Sequence, residues 1–167
     1  LDGNGRLGRL LITLILCNEN ALSEPLLYLS LYFKRHREEY YNLLQDVRQT
    51  GDWEKWVRFF LAGVVETATQ AVETAQSILA LFESDRAALR ELGRAAGSAL
   101  RVHQVLQQKP VITIPTAADR SGLSPPTVSS AFDRMSELGL VSEVTGKQRN
   151  RVYMYLPYVS LITEGMD

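Results

Sequence analysis

The sequence predicts a mainly α fold in two parts: a set of helices, then a winged helix-turn-helix with a small β-hairpin. Three observations carry this. Apolar residues recur at i, i+3, i+4 and i+7 through most of the first half of the chain. A capping serine, two prolines and a closing glycine frame SPPTVSSAFDRMSELG. Two apolar, β-rich runs joined by TGKQRNR follow it.

From about Gly5, Leu7, Leu10, Leu11 and Leu14 share one helical face, while Ile12, Ile15 and Leu16 cover the others. A helix apolar all round is expected to be buried, and the single cysteine within it, Cys17, reads as a small buried hydrophobe. That helix should end near Asn18–Asn20, with a turn at Ser23–Pro25. A second helix is expected from about Ser30 to Gln49, capped by Ser30 and closed by Gly51. Asp52 should cap a third. Its stripe of Trp53, Trp56, Val57, Phe60 and Val64, continued by Ala68, Ala71, Val72, Ala75, Leu79 and Phe82, reads as core.

Composition shifts across Gly93–Ser98, dividing the chain into residues 1–95 and a winged-helix domain at 96–167. A helix over about Ala99–Gln108 stops at Pro110, and VITI (Val111–Ile114) reads as a strand. TAADRSG is a short helix closed by Gly122. Ser124 caps the next helix, Pro125 and Pro126 fill its first turn, and Gly139 stops it. Strands at Leu140–Val144 and Val152–Leu156 then form the hairpin, with a plain tail beyond. Helix, strand, helix, tight turn, helix and hairpin is the order of a winged helix-turn-helix.

Bulk properties narrow the function. The chain has 167 residues and a net charge of −1, which argues against coating nucleic acid as a polycation. One cysteine allows no intrachain disulfide, which suits a reducing cytoplasm. The longest apolar run, Leu10 to Cys17, is far below the ~20 residues that span a bilayer, so no membrane partner is expected. A first residue of Leu1 rather than methionine reads as a chain cut from a longer one.

The opening LDGNGRLGR carries the chemistry. Glycines in DGNG free backbone N–H groups ahead of a helix N-terminus, whose unpaired donors and partial positive charge favour anions. Arg6 and Arg9 are three apart, so both guanidiniums can grip one phosphate chain. Asp2 is wrong for an anion but right for a divalent metal shared with phosphates. On residues alone two readings stand, a nucleotide triphosphate site and a capped turn with surface arginines.

The stretch resembles the core of the Fic-family motif, Asp/Glu-Gly-Asn-Gly-Arg-x-x-Arg, with Asp2, Gly3, Asn4, Gly5, Arg6 and Arg9 matching. The likeness extends through EPLLYLSLYF, REEYY and GDW to a C-terminal winged helix found in a bacterial branch of that family. The resemblance implies a Fic-type protein adenylyltransferase that moves AMP from Mg-ATP to a Ser, Thr or Tyr hydroxyl of a target protein. Residues 1–95 would be the C-terminal portion of its catalytic core. It implies Asp2 as the Mg²⁺ ligand and Gly3, Asn4 and Gly5 as the anion hole. Arg6 and Arg9 would hold the β- and γ-phosphates, with Leu7 and Gly8 between them. Tyr40 and Tyr41 would lie near the adenine.

The family's catalytic histidine falls three residues ahead of Leu1. His36 and His103 do not match it and read as surface or structural. The 167-residue chain is therefore expected to transfer no AMP, and the longer protein to do so. SLITEG (Ser160–Gly165) fits the family's loose inhibitory pattern, but a strand-to-tail ending is the simpler expectation there. A cytoplasmic location is expected from the single cysteine, and a homodimer is among the expected partners.

The winged helix itself leaves two functions open. One is duplex DNA binding, with Pro126–Leu138 as recognition helix and Lys147, Arg149 and Arg151 as a phosphate-gripping wing. This would make the chain a transcriptional regulator with a sensory or vestigial nucleotide site. The other is a protein-packing module, since residues 109–156 carry only 6 basic against 4 acidic side chains. The recognition helix offers Thr127, Ser129, Ser130 and Arg134, but also Asp133 and Glu137.

Overall fold

The computed structural model describes residues 4–20 and 29–163, and the fold is mainly α. Its helices are α1 (Asn4–Asn18), α2 (Leu29–Arg35), α3 (Arg37–Thr50), α4 (Trp53–Arg90), α5 (Ala96–Gln108), α6 (Ile114–Ser121), α7 (Pro125–Glu137) and α8 (Leu156–Thr163). Three short strands, β1 (Val111–Thr113), β2 (Ser142–Glu143) and β3 (Val152–Met154), make one antiparallel sheet in the order β1-β3-β2. Contacts divide the chain into two compact units, Leu1–Glu73 and Thr74–Asp167. The change falls inside α4, ahead of the expected boundary, because Asp85 and Leu89 near the end of that helix are already buried with the C-terminal unit.

In the N-terminal unit the core is small. Leu29, Tyr32, Phe33 and Phe59 are buried, with Ile12, Leu16, Tyr40, Leu43, Phe60 and Val64 packed around them. Tyr32 is held against α4 at Gly63, where a Cβ would stand 2.5 Å from the ring, so α2 and α4 approach this closely only across a glycine. Three expectations fail here. The helix expected from Ser30 to Gln49 is two helices broken at His36 (φ −103°, ψ 37°), and Ser30 lies inside α2 instead of capping it. His36 stacks on Tyr32 at 4.4 Å, and this ring contact belongs to the break.

The second failure is α1. It forms where expected, but Leu7 is 66% exposed and Leu10, Leu11, Leu14 and Ile15 are similarly open, so it is not a buried helix. Among its described side chains Ile12 and Leu16 pack against the core, and Cys17 is half-buried. Third, the α4 stripe is not continuous core. Trp53 is 60% exposed, and Val57, Val72 and Leu79 are exposed too. The buried residues of this stretch, Phe59 and Gly63, lie on roughly the opposite side of the helix from Val57 and Leu61 at about 100° per residue. Cap chemistry fared better. Gly51 closes α3 at φ 73° with its N–H on the Val47 carbonyl, and the Asp52 carboxylate accepts from the Glu54 amide at 3.1 Å.

The C-terminal unit is built differently. Leu89, Ala99, Val102, Leu106, Ile112, Ala117, Val128, Phe132, Met135, Tyr153 and Tyr155 form a closed core from α4, α5, α6, α7 and the sheet. A buried polar network crosses it. Tyr155 donates its hydroxyl to Asp85, leaving its oxygen to accept from His103 Nε2 at 3.0 Å, and Gln107 donates to His103 Nδ1 at 3.2 Å. His103 is 1% exposed and Asp85 6%. Burial holds the imidazole's pKa below its ordinary value, opposed in part by the Asp85 carboxylate. The structural reading of His103 therefore holds. Where a strand and tail were expected, the chain instead leaves β3 into α8, with the Val159 amide on the Tyr155 carbonyl.

Candidate nucleic-acid interface

Local chemistry positions α6 and α7. Gly122 takes φ 64° and returns its N–H to the Ala118 carbonyl, ending α6. Two residues on, the Ser124 hydroxyl accepts from the Thr127 amide, and Pro125 opens α7 where its missing N–H costs nothing. Arg101 on α5 donates to the Ser121 carbonyl, tying the turn to the helix behind it. Val128, Ala131, Phe132 and Met135 bury one side of α7. The opposite side presents Pro126, Ser130, Asp133 and Glu137, all exposed, with Thr127, Ser129 and Arg134 at its edges.

The wing is a built turn. Val144 donates to Val152 at 3.0 Å, and residues 145–151 loop beyond it with Gly146 and Asn150 at positive φ. The Glu143 carboxylate accepts from the Thr145 hydroxyl, the Thr145 amide at 2.8 Å and the Gly146 amide at 2.8 Å. These bonds, the Thr145 hydroxyl's first, hold its carboxyl below the usual carboxylate range. Lys147 and Arg149 are exposed at the tip. Arg151 is not: its guanidinium lies 5.6 Å over the Tyr153 ring and donates to Ser129 on α7 at 3.5 Å. Tyr153 in turn stacks on Phe132 at 4.2 Å. One chain of contacts thus fixes the wing against the exposed helix.

Residues 96–142 match the model of a family described as winged helix-turn-helix DNA-binding. The match runs from the first residue of α5 to the first of β2 and so contains the whole helix-turn-helix. The winged helix expected from the order of elements is present. Within the match α7 is the second helix of the helix-turn-helix, and its arginine is not free: Arg134 pairs with Glu137 at 3.0 Å. Sequence reasoning treated the wing cations as equals and missed Glu143, the Arg151–Ser129 link and the Arg134–Glu137 pair. The i, i+3 spacing was the available signal for that pair. An acidic residue two and three places before Thr145 and Gly146 was the signal for the turn.

The expected nucleotide residues are distributed unevenly. Asp2 and Gly3 lie outside the described residues. Asn4, Gly5, Arg6 and Arg9 fall in the opening turns of α1, where the backbone is helical. Leu7 is exposed and Gly8 faces open space. Tyr40 and Tyr41 part company: Tyr40 stacks on Phe33 at 4.9 Å beside the core, whereas Tyr41 is 54% exposed with Arg37 5.7 Å over its ring. His36 stays at the helix break, 3.9 Å from Glu39. Among the described residues no group of three or more His, Cys, Asp or Glu is placed to hold a metal. No helix there is long and apolar enough to cross a membrane. Glu164 and Gly165 of SLITEG lie outside the described residues.

Proposed function

We propose that this chain binds duplex DNA through α7 and the 145–151 wing, and that it acts as a winged-helix transcriptional regulator. The observation that carries the reading is the wing pinned to the exposed helix by Arg151, Ser129 and Tyr153, directly after a segment, residues 96–142, that is similar to a DNA-binding family. An exposed helix flanked by a cationic loop can lie in a major groove while the loop meets the backbone. With Arg134 engaged by Glu137 and Arg151 partly engaged by Ser129 and Tyr153, phosphate contacts fall first to Lys147 and Arg149, with Arg151 at most a third. At about 0.9 per neutralised phosphate, three cations give a log–log salt slope no steeper than about −3. A salt titration of the full chain against duplex DNA should find that slope. Changing Lys147 and Arg149 to alanine should flatten it by about 2 units. A slope indifferent to those changes would leave the winged helix as a packing module.

A second proposal, Fic-type AMP transfer by a longer protein containing this chain, rests on DGNGRLGR at the start of α1. In its favour, Asn4 and Gly5 of the motif fall in the first turn of a 15-residue helix, an end whose free N–H groups favour anions. In that protein Asp2 would hold Mg²⁺ and Arg9 the γ-phosphate of ATP, with a protein hydroxyl as acceptor. Arg9→Ala there should weaken Mg-ATP binding and AMP transfer together. Unchanged ATP affinity by calorimetry would remove Arg9 from the site.

A further inference from the structure

The exposed side of α7 contains a charge that phosphate binding alone would not tolerate. Opposite the buried Val128, Ala131, Phe132 and Met135, its midline is Pro126, Ser130, Asp133 and Glu137. The two carboxylates are not equivalent. Glu137 is neutralised by Arg134 at 3.0 Å, but among the described residues Asp133 makes no hydrogen bond or ion pair. A carboxylate carried into a groove walled by phosphates on both strands is repelled from each. It can be accommodated only by meeting a hydrogen-bond donor there.

The major groove offers two such donors, the amino groups of cytosine and adenine. Adenine's N6 lies between two acceptors, its own N7 and O4 of the paired thymine, both of which repel a carboxylate. Cytosine's N4 has an acceptor, guanine O6, on one side only, and a carbon edge on the other. From this geometry we infer that Asp133 is a specificity-determining residue, accepting a hydrogen bond from the N4 amino group of a cytosine and selecting a C·G pair at one position of the site. The inference rests on the DNA-binding reading above. Ser130, one turn earlier on the same midline, faces the neighbouring base step and adapts to donor or acceptor. The Arg151–Ser129 link holds the helix at one depth relative to the wing, which lets a short side chain such as aspartate keep its register.

The experiment selects duplexes from a randomised library with the full chain, beside Asp133→Asn and, as a charge control, Asp119→Asn, exposed on α6. Cytosine should be enriched at one position by the unaltered chain and by Asp119→Asn. Asp133→Asn should lose that preference about tenfold, in line with one specific base contact, and shift it toward adenine, whose N6 and N7 an amide reads together. The same variant should bind random duplex more tightly, because one repelling charge is gone. Cytosine preference kept in Asp133→Asn, or absent from the unaltered chain while DNA is bound, overturns the inference and spares the DNA-binding reading. Absence of any duplex binding at about 50 mM salt overturns both.

Discussion

The two units spend similar apolar sequence in opposite ways. Thr74–Asp167 closes a core in which eight large side chains are essentially fully buried, including Phe132, Met135 and Tyr155. Leu1–Glu73 buries four hydrophobic residues and leaves Leu7, Leu10, Leu11, Leu14, Ile15, Trp53, Val57, Leu61, Val65 and Val72 exposed among its described residues. Periodicity specifies an element but not its partner. In α5, α6 and α7 the buried apolar faces meet one another and the sheet in a single cluster. In α1 and the first part of α4 apolar residues recur as well, yet Leu7, Leu10, Leu11 and Leu14, like Val57, Leu61 and Val65, stay exposed.

The largest effect should come from breaking the closed core and its open counterpart in parallel. Phe132→Ala should cost about 3–5 kcal/mol by leaving a cavity under the Tyr153 ring. Leu14→Ala, on an exposed face of α1, should stay within about 0.5 kcal/mol. Urea unfolding of both variants is the measurement, and equal losses would show that α1 is covered in solution.

A smaller contrast separates two helical glycines. Gly63→Ala places a methyl 2.5 Å from the Tyr32 ring and should cost about 1–3 kcal/mol. Gly97→Ala in α5 meets nothing within 4 Å and should stabilise by about 0.5–1 kcal/mol through helix propensity. A Gly63→Ala variant no less stable than its parent would mean that α2 does not rest on α4 there.

The smallest effect is a pH dependence confined to the C-terminal unit, which holds all three buried polar residues seen, Asp85, His103 and Ser121. The folded chain keeps His103 neutral where the unfolded chain would protonate it, so the unfolded state binds more protons. Stability should therefore fall as pH drops below the ordinary histidine value of about 6.5. The fall should continue until pH passes the lower folded pKa. Thermal unfolding between pH 7.5 and 5 should show the loss, and His103→Gln should flatten it. Identical slopes would take His103 out of the transition.

What was legible in the sequence follows the same divide. Ser124, Gly122, Gly51 and Asp52 were readable because a cap involves only residues a few places away. The break at His36 was not, since neither proline nor glycine marks it and the ring contacts that accompany it come from Tyr32 and Phe59. LPYVSLIT carries β-branched residues and reads as strand continuing into tail, yet it folds as α8 with Tyr158 against Phe82 and Tyr155. In the candidate interface the recognition helix and the wing were visible as elements. Which charges are engaged was not, because Arg151 finds Ser129 across 22 residues of chain.

The Glu143 turn has a consequence for the thermodynamics of association. A loop that must be ordered by its ligand spends part of the interaction on lost conformational freedom. Here the carboxylate already fixes the backbone at Thr145 and Gly146, and Arg151 is already immobilised on Tyr153 and Ser129. The exposed side chains of Lys147 and Arg149 would still have to be ordered, at about 0.5–1.5 kcal/mol each. A wing shaped before contact turns a modest set of cations into a usable grip, and loosening Glu143 would show itself as faster dissociation with the charge on the wing tip unaltered.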